Sequence, residues 1–194
     1  MPETSIRSSD EYRETMRKAR ACRLRKAGLL GKYQNAECEQ GAKLYELAKL
    51  GTGAYVWGNT GAGKTYAAAS AVRHALKDGK TAKLITSKRL LDEIKDGYDD
   101  GRGHVLDSAE TTQLLVLDDL GAERATDWAI ETISRLIDTR YMSDRPTIIT
   151  SNYRLGELRD IWTGIPGARI ASRIAGACKI IHFDGEDRRM KNAN

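Results

Sequence analysis

No run in this sequence approaches the eighteen or so apolar residues that a membrane-spanning helix needs. The opening stretch MPETSIRSSDEYRETMRKAR has no apolar core segment, so a secretory signal is not expected. Cysteine is scarce. Cys22, Cys38 and Cys178 are odd in number and far apart, without a CxxC pair and without clustering around the three histidines. That pattern argues against a disulfide framework and a Cys/His metal centre, and it fits reduced thiols in a cytoplasmic protein. Internal repeats and low-complexity tracts are also missing.

What remains is an ordinary globular composition: 194 residues, 40% hydrophobic and 30% charged. That is enough for one domain with a sizeable core and too little for two. The formal net charge of +5 is unevenly placed. Residues 1–32 hold nine basic side chains (Arg7, Arg13, Arg17, Lys18, Arg20, Arg23, Arg25, Lys26 and Lys32) against Glu3, Asp10, Glu11 and Glu14. The rest of the chain is balanced. A basic N-terminus suits contact with nucleic acid or with an acidic protein surface, and a solvated helix without a partner fits the composition equally well.

The organisation changes near residue 50. Weakly amphipathic helix is expected over 10–30, with Tyr12, Met16 and Ala19 on one face, and a second helix over 38–50. Together they form a basic, mainly helical extension over residues 1–50. From residue 51 to 194, strands and helices alternate. AYVWGN, TAKLITS, TQLLVLDDLG, RPTIITSN and CKIIHF read as strands, and DDGRGHVLDSAE reads as a polar loop. Five near-continuously apolar strands separated by helices predict a parallel sheet covered on both faces.

Three strand ends or turns and one helix carry chemistry. Gly58-Asn59-Thr60-Gly61-Ala62-Gly63-Lys64-Thr65 fits GxxxxGK[ST] between a strand and a helix. Such a loop turns backbone N–H groups toward phosphate oxygens, and the helix N-terminus adds its positive dipole end. Lys64 is then placed for the β- and γ-phosphates of ATP and the Thr65 hydroxyl for Mg²⁺. LLVLDDLG is a buried strand that delivers Asp118 and Asp119 to a carboxyl edge, Asp118 toward the metal and Asp119 toward the attacking water. TIITSN ends on Asn152, which suits a hydrogen bond to the γ-phosphate or to that water. GARIASRI places Arg169 and Arg173 four apart on one helix face, as candidates to reach a neighbouring subunit's nucleotide.

In that order, KAGLLGKYQNA, VWGNTGAGKT, LLVLDDLGAE, WAIETISRLIDTRY, PTIITSNY and ARIASRI resemble the AAA+ ATPases of the replicative helicase loader family, the DnaC/DnaI type. The resemblance implies a five-stranded parallel sheet in the order 5-1-4-3-2 without a C-terminal helical lid domain. It makes Lys64 and Thr65 Walker A residues, Asp118 and Asp119 Walker B, Asn152 sensor 1 and Arg173 an arginine finger with Arg169 beside it. It further implies ATP and Mg²⁺ as ligands and ATP hydrolysis; Asp119 departs from the Asp-Glu pair of many AAA+ proteins, and its shorter carboxylate is expected to make hydrolysis slow. The implied partners are a hexameric replicative DNA helicase, single-stranded DNA, and further copies of the chain meeting at the ATP sites. An IstB-type transposition helper shares these motifs. A small-molecule P-loop kinase has similar size but leaves TSNY and RIASRI without a role.

Overall fold

A computed structural model of the chain describes residues 3–99, 104–123, 125–162 and 165–185. Five parallel strands form one sheet: β1 (Gly53–Trp57), β2 (Ala82–Thr86), β3 (Leu114–Leu120), β4 (Thr147–Ser151) and β5 (Cys178–His182). Their spatial order is β2-β3-β4-β1-β5, the order expected from the sequence. Alternate residues of each central strand enter opposite layers, as the two-residue period of a strand requires. Ala54, Val56, Val116 and Ile148 enter one layer, and Tyr55, Leu115, Leu117 and Ile149 enter the other. Both layers are apolar, which is why the strands read as unbroken hydrophobic runs.

One face is covered by α2 (Glu39–Lys49) and α3 (Lys64–Lys77). Alanines at 67, 68, 69, 71 and 75 keep α3 slim enough to lie close to the sheet. Gly41 lets α2 come equally close to α3, since a Cβ there would stand 2.3 Å from that of Ser70. The other face is covered by α4 (Ser87–Asp99), α5 (His104–Thr111), α6 (Asp127–Met142), α7 (Leu155–Ile161) and α8 (Ile165–Ala177). Helix α5 lies within the stretch expected to be a polar loop. Its Leu106 and Ala109 are buried and hold this short helix in place, a tertiary contribution that the surrounding polar residues conceal.

The N-terminal helix α1 (Glu3–Lys26) begins and ends earlier than the sequence pattern indicates. Its middle stands in solvent, with Tyr12 66% and Met16 53% exposed. It is anchored at its last turn, where Arg23 Nη2 donates to the Leu76 carbonyl at 2.8 Å and Leu24 packs on the core. From Ala27 onward the chain joins the core: Ala27, Leu29 and Ala36 are buried, and Ala27 O accepts from Leu84 N at 2.8 Å along β2. Among the described residues, no helix is long and apolar enough to cross a membrane.

One buried cation organises the amino-edge side of the sheet. Arg140 is 1% exposed and donates to the carbonyls of Ala109 (2.8 Å), Thr112 (2.9 Å) and Pro146 (2.8 Å) and to Thr147 Oγ1 (2.8 Å). It therefore caps the C-terminus of α5, where carbonyls lack helical partners, and ties that end to the start of β4. Burial pulls its pKa down to about 10, still far enough above neutrality to keep the charge. Arg140→Ala should destabilise the fold by at least about 3 kcal/mol in urea titration, because several buried acceptors lose their donor at once. Arg140→Lys should recover only part of that loss, since one ammonium cannot reproduce the planar fork. Wild-type stability of either variant would show that Arg140 does not hold α5 and β4 together.

Candidate nucleotide site

The carboxyl ends of β1, β3 and β4 meet at one cleft of about 790 Å³, a volume suited to a nucleotide. The loop after β1 wraps its rim. Gly58 has no room for a side chain: a Cβ there would lie 2.2 Å from the Phe183 carbonyl oxygen at the end of β5. Gly63 is the N-cap of α3 at φ 95°, a left-handed conformation natural to glycine, and it starts α3 directly at Lys64.

Lys64 is 8% exposed, and its ammonium donates to Gly58 O (2.7 Å), Asn59 O (2.8 Å) and Asn152 Oδ1 (2.9 Å). The lysine therefore spans the loop and joins the end of β1 to the end of β4. Next to it, the Thr65 hydroxyl donates toward both oxygens of Asp118, at 2.9 and 3.2 Å. Asp118 is 5% exposed and takes a second hydroxyl bond from Thr150, at 2.6 Å to Oδ1. Burial raises its carboxyl pKa above the ordinary value. The Thr150 and Thr65 donors act in the opposite direction, the Asp119 charge adds to the rise, and Lys64 reduces it. Asp119 is more open to the cleft and accepts from Asn152 Nδ2 at 3.2 Å.

Lys64, Thr65, Asp118, Asp119 and Asn152 thus share one hydrogen-bonded site, with Thr60, Gly61 and Gly63 on its wall. Asn59 contributes its carbonyl, and Ala62, 6% exposed, closes the loop by donating its N–H to Asn59 O at 3.3 Å. Arg169 and Arg173 are elsewhere. Both sit on α8 and converge on one carboxylate of α6: Arg169 Nη2 lies 2.6 Å from Asp138 Oδ2, and Arg173 Nε donates to Oδ1 at 3.0 Å. The Arg173 guanidinium also covers the Tyr141 ring at 4.7 Å. Arg173 lines a separate cavity of about 630 Å³ together with Thr52, Thr147 and Cys178, at the opposite edge of the sheet from Lys64.

Sequence reasoning left several participants without a role. Lys32 and Tyr33, from the turn Gly31–Asn35, form part of the cleft wall, as do Thr86 at the end of β2 and Arg89 on α4. Glu123 Oε2 accepts from Gly121 N (3.1 Å) and Ser87 Oγ (2.5 Å), bracing the loop after β3. Thr150 is the most central of those overlooked. Its position two residues before Asn152, on the strand neighbouring DD, was the available signal.

Comparison with known proteins gives a consistent result. The sequence is 29% identical over 157 residues to the replicative helicase loader DnaI of Bacillus subtilis, covering 76% of this chain and 50% of that protein. It is 27% identical over 120 residues to the loader DnaC of Escherichia coli, covering 60% and 47%. The chain spans about half the length of these curated relatives. The crystal structure of the DnaC helicase loader superposes with a TM-score of 0.67 at 26% identity, over 80% of this chain and 100% of that one. The fold is accordingly a nucleotide-binding P-loop fold of the AAA+ type. The sequence profile described as IstB-like ATP binding protein matches residues 9–194, and the chain belongs to that family.

Proposed function

We propose that this protein is an ATP-hydrolysing loader or regulator of a replicative DNA helicase. The observation that carries the reading is the single cleft in which Lys64, Thr65, Asp118, Asp119 and Asn152 are hydrogen-bonded together. The similarity to two helicase loaders over most of the chain supports it. In this reading Lys64 leaves the Gly58 and Asn59 carbonyls for the β- and γ-phosphates, and the loop N–H groups hold the remaining phosphate oxygens. Thr65 and Asp118 would hold Mg²⁺, and the fit is chemical: a hydroxyl and a carboxylate 2.9 Å apart supply hard oxygen donors beside the phosphate site. A metal held there would supply charge neutralisation at the transferred phosphoryl group. Asp119 orients the attacking water, with Asn152 fixing the carboxylate and reaching the γ-phosphate side.

Arg173 completes the site from a second copy of the chain, with Arg169 beside it, and ATP-dependent self-association follows from that division of labour. Single-stranded DNA and the helicase are the proposed partners, and the exposed basic helix α1 is the surface offered to them. A second reading, a transposition helper, is favoured by the family itself and by 34% identity over 95 residues to an ATP-binding protein of insertion sequence IS1162. Asp119→Asn protein held in the ATP state should co-purify with a purified hexameric helicase from the host. Retention by the cognate transposase instead would establish the second reading, and retention by neither would remove both.

Asp118 supplies a prediction with a definite sign. Its folded pKa is raised, so the fold gains stability when the carboxyl is protonated and loses it as pH rises through the interval above the unfolded value. At neutral pH, Asp118→Asn should therefore raise the melting temperature of the nucleotide-free protein. That advantage should vanish in acid, where the wild-type carboxyl is also neutral. The same variant should lose the gain in nucleotide affinity that magnesium gives the wild type. A lowered melting temperature at pH 7 would count against a strained, desolvated carboxylate.

The arginine assignment predicts complementation. Lys64→Ala should fold normally and fail to bind ATP. Arg173→Ala should bind ATP but hydrolyse it about 10³- to 10⁵-fold more slowly. Mixing the two should restore part of the activity, because each supplies the group missing from the other. An unchanged rate in Arg173→Ala would transfer the role to Arg169, and the absence of any recovery on mixing would place the arginine's action within one chain.

A further inference from the structure

The two acidic residues are adjacent in sequence yet serve one cleft, which a regular strand does not allow. Successive side chains of a strand point to opposite faces. The pairing of β3 with β4 shows how the difficulty is resolved. Leu117 is opposite Ile149 and Leu120 is opposite Ser151, so Asp118 and Asp119 together face the single residue Thr150. This is a β-bulge, and its second residue Asp119 adopts φ 57°, a left-handed conformation uncommon outside glycine. The bulge re-aims Asp119 so that its carboxylate meets Asn152 while that of Asp118 meets Thr65.

Such a distortion needs something to occupy the hydrogen-bonding groups it leaves over. Thr150 does this with one side-chain oxygen. Its hydroxyl proton goes to Asp118 Oδ1 at 2.6 Å, and its lone pair accepts the Asp119 backbone N–H at 2.9 Å. Thr150 is 1% exposed, so water does not compete for either bond. The adjoining residue continues the seam: Ser151 Oγ donates to Leu120 O at 2.7 Å, just past the bulge. A valine at 150 would fill the same space and pair β4 equally well, but it would leave the Asp119 N–H buried without this acceptor.

We infer that Thr150 is a positioning residue for the metal and water sites, its hydroxyl holding the bulge that turns both Asp118 and Asp119 toward the nucleotide. The inference rests on the ATPase reading of the cleft. Both bonds of the Thr150 hydroxyl go to the acidic pair, to Asp118 Oδ1 and to Asp119 N. Its effect passes through the orientation of the two carboxylates, as with other groups that stand behind metal ligands.

The test compares Thr150→Val, which removes the hydroxyl at nearly constant volume, with Thr150→Ser, which keeps it. Binding of a fluorescent ATP analogue is measured in EDTA and across a magnesium titration, alongside kcat and KM for hydrolysis. In EDTA all three proteins should bind the analogue alike. The magnesium concentration giving half of the affinity gain should rise about 10- to 100-fold in Thr150→Val and stay near the wild-type value in Thr150→Ser. At saturating magnesium, kcat should fall in Thr150→Val with KM little changed, and Thr150→Ser should retain kcat. A wild-type magnesium response in Thr150→Val overturns the inference, and so does an equal loss in both variants, which would assign the effect to packing. If Thr150→Val does not fold, Thr150→Ala is read against Thr150→Ser by the same criteria. A wild-type protein that binds no analogue, or binds it without regard to magnesium, overturns the reading of the cleft and this inference with it.

Discussion

A carboxylate taken almost wholly out of water is unfavourable unless donors surround it, and Asp118 is in that position near the carboxyl end of the interior strand β3. Two hydroxyls make the arrangement tenable, Thr65 from the first turn of α3 and Thr150 from β4. Those contacts join three separate parts of the chain at one point: the glycine-rich loop with its helix, the acidic strand tip, and the neighbouring strand. The remaining geometry of the cleft depends on this junction. Lys64 is fixed relative to Thr65 by the helix they share, and Asn152 is fixed relative to Thr150 by the strand end they share. The Lys64–Asn152 and Asn152–Asp119 bonds then close the ring.

The same junction accounts for the placement of glycine. The loop must leave β1, pass under the end of β5 and enter α3 within six residues, Gly58 to Gly63. Only a residue without Cβ fits beneath the Phe183 carbonyl at Gly58, and Gly63 makes a left-handed entry into the helix. Bulk at either point would move Lys64 and Thr65 away from the carboxylate edge. The loop is therefore constrained by the protein's own backbone at both of its ends.

Much of this was legible in the sequence because the signals are local. GxxxxGKT between a strand and a helix, an apolar run ending in Asp118-Asp119, and another ending in Asn152 each carry their meaning within ten residues. Five apolar strands alternating with helices fixed the sheet as parallel and doubly covered. What escaped was non-local. Helix α5 was hidden in DDGRGHVLDSAE because Leu106 and Ala109 gain their stability from the layer beneath them, and Arg140, which caps it, lies far along the chain. Ala27, Leu29 and Ala36 appear in a basic, polar region, and their burial depends on β2 and α3 being folded beside them. Thr150 looks like any β-branched strand residue until the bulge in β3 is seen opposite it.

The position of the arginines follows from the direction of α8. That helix runs from the nucleotide edge of the sheet back toward the start of β5, so residues near its C-terminus are carried away from their own P-loop. Arg173 is four residues before that end, and its Nε is held by Asp138 with its planar face on Tyr141. Arg173 lines the cavity at the start of β4 and β5 and does not line the cleft that holds Lys64. That separation fits the proposed action of Arg173 on a second copy of the chain. Asp138 bears on that directly: one of its oxygens holds Arg173 Nε while the other lies against Arg169 Nη2, and with the Tyr141 ring beneath it the plane of the Arg173 guanidinium is set. An arginine fixed in plane loses less rotamer freedom when it meets a planar anion than one swinging freely in solvent. The separation of Arg173 from the P-loop and its fixed plane are thus two results of one packing arrangement, that of α8 against α6.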